Sequence, residues 1–172
     1  VAASLILATN STFSIGGTWN MLGGTSTISA VGVSGVATTV VSAVGTVRVQ
    51  NAQFVVNTVY SNAGFTTFIN GQGTFNASAV NAAGAQWIID PSANTFAGNL
   101  DNAGTILLTN SVNIIASNLI NQAGAVYSMF QTSATYVAGV FTNQGNLNIL
   151  QGSILTNANA FISGSFTVIV AD

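Results

Sequence analysis

Leu100-Asp101-Asn102-Ala103-Gly104-Thr105-Ile106 and Phe141-Thr142-Asn143-Gln144-Gly145-Asn146-Leu147 are two copies of one phrase. Each runs from an apolar residue through an Asn and a Gly to an apolar residue two places further on. Gly supplies positive φ without steric penalty, and Asn tolerates left-handed backbone and can hydrogen-bond its own turn. The phrase therefore reads as a turn that opens a strand. Its glycine recurs at Gly24, Gly45, Gly64, Gly84, Gly104, Gly124, Gly145 and Gly164, with gaps of 21, 19, 20, 20, 20, 21 and 19 residues. A fixed period of this length marks a stacked-repeat architecture.

The residues around the glycine share the period. Four places before it stand Val41, Tyr60, Val80, Leu100, Ile120 and Phe141. Two places after it stand Val47, Ile106, Val126, Leu147 and Phe166, and four places after it Ile28, Val49, Phe68, Ile88, Leu108, Ile149 and Val168. Apolar residues at +2 and +4 are the signature of a strand with one buried face. Asn62, Asn81, Asn102, Asn121 and Asn143 lie two or three residues before Gly64, Gly84, Gly104, Gly124 and Gly145. At equivalent bends these amides can stack as a ladder.

A second turn falls seven residues after the glycine, at Gly71, Pro91, Ser111, Gln131 and Gly152. Asn70-Gly71 alone would suit a two-residue hairpin; its alignment with the other four favours a solenoid corner. A further apolar cluster follows at Phe75, Phe96, Ile114, Tyr136 and Leu155. Each coil then holds two or three short strands. The expected fold is all-β: a single-domain parallel β-helix (β-solenoid), right-handed by the usual crossover rule, of about 8 coils of 19–21 residues. The domain covers 1–172. Residues 1–40 are less regular, with a cap or an exchanged segment expected around Ser11–Gly24, and 41–172 are regular coils. At one strand spacing per coil the rod is roughly 40 Å long.

Composition narrows the function. Only Arg48, Asp90, Asp101 and Asp172 are formally charged, 2% of 172 residues, where a soluble domain carries about a quarter. Hydrophobic residues make up 49%, which excludes a disordered chain. One basic residue cannot supply the footprint that nucleic acid or an anionic membrane surface requires. The stretch Ser29–Val47 is uncharged, but Gly32, Ser34, Gly35, Thr38, Thr39 and Ser42 interrupt it, so it reads as strand and not as a membrane-crossing helix. Val1 stands where an initiator Met would, consistent with a removed signal peptide or a trimmed chain.

Enzyme chemistry finds little to work with. Polysaccharide-cleaving β-helices need clustered carboxylates. Asp90 and Asp101 fall in different columns, about half a coil apart, and Arg48 lies between two inward positions, facing solvent. The chain has no His, Cys, Lys or Glu. No nucleophile–base pair, conventional zinc site or other cofactor site is expected. Asn10-Ser11-Thr12 and Asn76-Ala77-Ser78 match the glycosylation sequon.

Two surface features attract attention. At the outward positions +3 and +5, Trp87, Leu107, Tyr127, Ile89 and Met129 would form an exposed apolar stripe suited to an interface. The alternative is a bulge that turns Trp87 and Ile89 inward and Gln86 outward. The two flanks, Val1–Leu7 and Phe166–Val170, read as strands without the charges or prolines that block edge pairing.

The copies Leu100–Ile106, Ile120–Val126 and Phe141–Leu147 resemble the Leu-x-Asn-x-Gly-x-Ile repeats of filamentous-haemagglutinin-type and autotransporter-type β-helix proteins, over about Val41–Val168. The resemblance implies a right-handed parallel β-helix, secretion and surface display. Three functions follow as expectations. The first is a structural subunit of an extracellular filament, a homopolymer assembled head-to-tail through uncapped ends. The second is a cell-surface adhesin that binds glycan or a host protein. The third is an ice-binding solenoid, whose Thr column at Thr25/Thr27 and Thr46 is broken by Phe65 and Ala85.

Overall fold

In the computed structural model the described residues are 2–7, 12–30 and 38–169. They form only strands, turns and bends. Every strand pairing is parallel and links one coil to the next. The chain is a parallel β-solenoid of about seven turns, and its strands lie in three stacks, one per face of each coil.

The first face carries Thr12–Ile15, Thr38–Val41, Val59–Asn62, Ala79–Asn81, Leu100–Asn102, Leu119–Asn121 and residues 141–143 and 159–162. The second carries residues 18–22 and 46–50, then Phe65–Ile69, Gln86–Ile89, Thr105–Thr109, Val126–Phe130, Asn146–Leu150 and Ser165–Ile169. The third carries Ala2–Leu7, residues 24–28 and 53–56, Gln72–Phe75, Ala93–Phe96, Val112–Ile115 and residues 134–137 and 154–157. Phe65–Ile69 and Gln72–Phe75 each pair with neighbouring coils and not with each other. Asn70-Gly71 is therefore a corner, not a hairpin.

Strands of three to five residues separated by corners suit this sequence, because each strand needs only two inward side chains. Those side chains stack into continuous columns that bury one another. Around the middle coils the columns are aromatic. Phe75 stacks on Phe96 at 4.9 Å and 7°, and meets Trp87 edge-on at 5.1 Å. Tyr60 joins them, 5.4 Å from Trp87. Aromatic pairs at such separations add about 0.5–1.5 kcal/mol each beyond area burial.

The coil length is not uniform. Successive starts of the second-face strands are Thr46, Phe65, Gln86, Thr105, Val126, Asn146 and Ser165, giving steps of 19, 21, 19, 21, 20 and 19 residues. The variation sits mainly in the turn between the first and second faces. From the ladder position to the next strand the chain takes three steps at Asn62–Phe65, Asn102–Thr105 and Asn143–Asn146. It takes five at Asn81–Gln86 and Asn121–Val126. In the long turn Ala85 N–H donates to Ala82 O and Ala125 N–H to Gln122 O, both at 3.0 Å. Gly84 and Gly124 occupy the third turn position at φ +78° and +80°, a backbone that an L side chain resists.

This overturns the alignment of every glycine into one column. Ala85 and Ala125, not Gly84 and Gly124, superimpose on Gly64, Gly104 and Gly145. A one-residue slip exchanges the two faces of a strand. Trp87, Ile89, Tyr127 and Met129 are accordingly inside, each at most 1% exposed. Ile88 and Val126 take the outward, half-buried positions instead. Ala79 and Leu119 replace Val80 and Ile120 inside in the same way.

Three further expectations are corrected. Gly17, and not Gly24, precedes the first strand of the second face; Gly24 pairs with Ala52 beyond the corner, and Ile28 lies beside Val56 on the third face. The first coil is long, with 28 residues from Thr18 to Thr46. At the second corner the superimposed residues are Gly71, Ser92, Ser111, Ser133 and Ser153. Asn51, Asn70 and Asn110 (φ 50°, 49° and 47°) make the left-handed bend just before that position, as Asn readily does. Ile115 and Val137 continue the Phe75–Phe96 column. Ile114 and Tyr136 consequently point outward, 48% and 46% exposed.

Candidate functional surfaces: an asparagine ladder and an exposed end

Asn62, Asn81, Asn102, Asn121 and Asn143 are all fully buried and form one ladder along the axis. Each Nδ2 donates to the Oδ1 of the Asn one coil on: 2.8 Å, 2.8 Å, 2.7 Å and 2.6 Å in turn. The second N–H of each of the first four goes to a backbone carbonyl at the start of a strand, Gln86 O, Thr105 O, Val126 O and Asn146 O. Asn143 donates to Ser165 O at 3.1 Å. A buried amide without partners is costly; this column satisfies its donors internally. Val41 and Ile15 continue it at one end and Ile162 at the other.

Hydroxyls run a second ladder at the next corner. Gly71 N–H donates to Ser92 Oγ at 3.0 Å, Ser92 N–H to Ser111 Oγ at 3.0 Å, and Ser111 N–H to Ser133 Oγ at 3.2 Å. Inside the core, Tyr60 Oη shares a hydrogen bond with Thr66 Oγ1 (2.7 Å) and Tyr127 Oη with Thr135 Oγ1 (2.9 Å). Asn113 Nδ2 donates to Tyr127 Oη at 3.0 Å. Burial raises both tyrosine hydroxyls, Tyr127 to about 12 and Tyr60 further, and their hydrogen-bond partners offset only part of that. Apolar periodicity does not reveal these interior polar groups, because Asn94, Asn113 and Thr135 break an otherwise apolar column begun by Phe54.

The charged residues do not gather. Asp90 follows a strand of the second face and Asp101 lies on the first, accepting from Gln122 Nε2 at 2.6 Å. Arg48 is exposed on the second face between Asn20 and Thr67. Two shallow depressions, at Val44–Gly45 with Gly64 and Gly84 and along Asn51, Asn70 and Gln72, contain no charged side chain. Among the described residues no group of His, Cys, Asp or Glu is placed to hold a metal ion, and no helix is long and apolar enough to cross a membrane. Of the sequon residues, Asn76 is exposed and donates to Asn57 Oδ1 at 2.6 Å, whereas Asn10 lies outside the described residues.

The expected stripe of Trp87, Ile89, Tyr127 and Met129 is core; Leu107 alone of that set faces outward, half-buried. A different apolar belt does cross the outside of the second face: Phe65, Ile69, Ile88, Leu107, Val126, Phe130 and Leu150, all half-buried.

The more exposed apolar surface is at the far end. Phe166 and Val168 belong to the inward columns of the second face, directly after Leu147 and Ile149. Leu147 is fully buried, yet Phe166 and Val168 are each 50% exposed, and Ile162, which follows Asn143 on the first face, is 46% exposed. The cause is position: the inward columns run out to the last described coil, where nothing among the described residues covers them.

A three-faced parallel β-solenoid with an internal Asn ladder is the class to which this architecture belongs. Comparison with protein-family models, curated proteins and solved structures gave no match to the chain.

Proposed function

We propose that the protein is a structural, non-enzymatic subunit of an extracellular filament or surface fibre and assembles by end-to-end stacking. The supporting observation is the regular stack of parallel coils, tied from coil to coil by the Asn62–Asn143 ladder, whose inward columns run on through Ile162, Phe166 and Val168 to the last described coil. An open strand edge of a solenoid recruits further strands. A head-to-tail contact is heterologous and builds open filaments. With so few charges on the chain, little repulsion opposes it. The repeat-level resemblance to filamentous-haemagglutinin-type and autotransporter-type proteins fits secretion and surface display. Electron microscopy of the purified chain over rising concentration tests the reading: filaments are expected, and a monodisperse monomer at millimolar concentration refutes it.

A second reading, an adhesin that binds glycan or a host protein, draws on the half-buried belt of Phe65, Ile88, Leu107 and Phe130. Protection of that face on binding by a monomeric chain would favour it.

A further inference from the structure

The second corner holds the chain's single Asn-Gly dipeptide, Asn70-Gly71. Asparagine is thermolabile because the backbone nitrogen that follows it can attack its side-chain carbonyl. Glycine, without a Cβ, hinders that attack least. Asn51, Asn70 and Asn110 share one position of this corner. All three are exposed and left-handed, at φ 50°, 49° and 47°. They differ in the next residue, which is Ala52, Gly71 and Ser111. We propose that Asn70 is a self-modification site, converting to aspartate and isoaspartate through a succinimide, and that the Ser92 hydroxyl is the latch that sets its rate.

The chemistry needs only water. The Gly71 nitrogen loses its proton and attacks Asn70 Cγ. The new N–Cγ bond closes the succinimide ring, and Nδ2 leaves as ammonia with a proton in place of the one lost. Water then opens the ring. Cleavage of the new N–Cγ bond gives aspartate; cleavage at the main-chain carbonyl gives isoaspartate, in which the chain runs through Cγ. Asn70 borders the shallow depression shared with Asn51 and Gln72, so water reaches it. What the fold restrains is the nucleophile. Gly71 is buried and its N–H donates to Ser92 Oγ at 3.0 Å, while the Ser92 hydroxyl donates to Pro91 O at 2.6 Å. Asn70 N–H is tied to the same Pro91 O at 2.8 Å. Attack therefore waits on local opening of the corner. The product adds one negative charge to a formal net charge of −2. As isoaspartate it also adds one backbone carbon at a corner that sets strand register.

Peptide mapping by mass spectrometry, after incubation in mildly alkaline buffer, reads the reaction as the NH2-to-OH mass gain at each Asn. In the folded chain it should accumulate at Asn70 and not at Asn51 or Asn110, and in urea Asn70 should convert faster still. Ser92→Ala removes one neutral hydrogen bond and should raise the folded-state rate at Asn70 about two- to tenfold. Ser92→Thr, which keeps the hydroxyl, should hold the parental rate. Gly71→Ser, matching Ser92 and Ser111 at the same position of neighbouring coils, should bring Asn70 down to the level of Asn110. Circular dichroism checks the fold of each variant. Equal conversion at Asn51 and Asn110, or none at Asn70 in the folded chain, overturns the site. A parental rate in folded Ser92→Ala, or equal rates at Asn70 in the folded and urea-unfolded chain, overturns the latch. Should Ser92→Ala fail to fold, the folded-against-urea comparison in the parent decides the latch by itself.

Discussion

The side-chain amide of Asn81 donates to the side-chain oxygen of Asn102, 2.8 Å away and one coil further along the axis. That bond adds to the backbone tie between the two coils, where Ala103 N–H donates to Asn81 O at 2.8 Å, and it exists only if both turns place Asn inward. A one-residue slip of either coil would turn its Asn to solvent and leave its neighbour's amide unpartnered. The ladder thus specifies register as well as adding stability.

Replacing Asn102 by Ala should be strongly destabilising. The change removes the acceptor for Asn81 and the donors to Asn121 Oδ1 and Val126 O. At about 1–3 kcal/mol per buried group left unpaired, a loss of about 2–5 kcal/mol is expected. Asn76→Ala, at an exposed corner, should stay within about 0.5 kcal/mol of the parent. Urea denaturation followed by circular dichroism compares them; equal losses would remove the special role given to the ladder.

Asn94 should respond in the opposite sense. It is 1% exposed, and neither its Oδ1 nor its Nδ2 has a protein hydrogen bond. Its oxygen lies over Gly73, 2.5 Å from where a Cβ would be. Asn94→Leu removes two unpaired polar atoms and retains a side chain of similar length. An increase of about 1–3 kcal/mol in unfolding free energy is expected. A clear decrease would show that Asn94 has a role the hydrogen-bond pattern does not display.

The two kinds of turn glycine should separate by mechanism. A Cβ on Gly104 would meet the carbonyl oxygens of Ala82 and Ala85 at 2.4 Å, backbone that cannot move aside. A Cβ on Gly124 would meet nothing within 4 Å, and only its φ of +80° resists substitution. Gly124→Ala should cost about 1 kcal/mol and Gly104→Ala about 3 kcal/mol, near the upper end for overpacking. Melting temperatures of the two variants order them, and a reversed order would contradict the register assigned to the two turns.

Alkali should weaken the fold. Burial lifts the Tyr127 hydroxyl to about 12 against an ordinary value of 10.0, and raises Tyr60 for the same reason. Between pH 10 and 12 the unfolded chain releases protons that the folded chain retains, so stability falls as pH rises and is unaffected by these groups below pH 10. Each tyrosine contributes a slope of about 1.4 kcal/mol per pH unit within that window. Denaturation midpoints from pH 8 to 11.5 should be level and then decline, and Tyr127→Phe should decline about half as steeply. An unchanged slope in that variant would assign the effect elsewhere.

The sequence alone determined the class of fold. A spacing near twenty residues, +2/+4 apolar alternation and recurrent Asn-x-Gly phrases permit no helix and demand stacked coils. The ladder residues were legible too, because an amide at one point of every coil has few uses except to meet its equivalent. What only the tertiary structure decided is which residue of each turn occupies the column. Gly64 and Gly104 are glycine because backbone from the preceding coil crowds them; Gly84 and Gly124 are glycine because the turn needs positive φ. The letter is the same and the positions differ by one. In a period of two, that single step sends Trp87 and Tyr127 into the core and Ile88 and Val126 to the surface. Local sequence does not record the distinction, since the crowding comes from residues a full coil away.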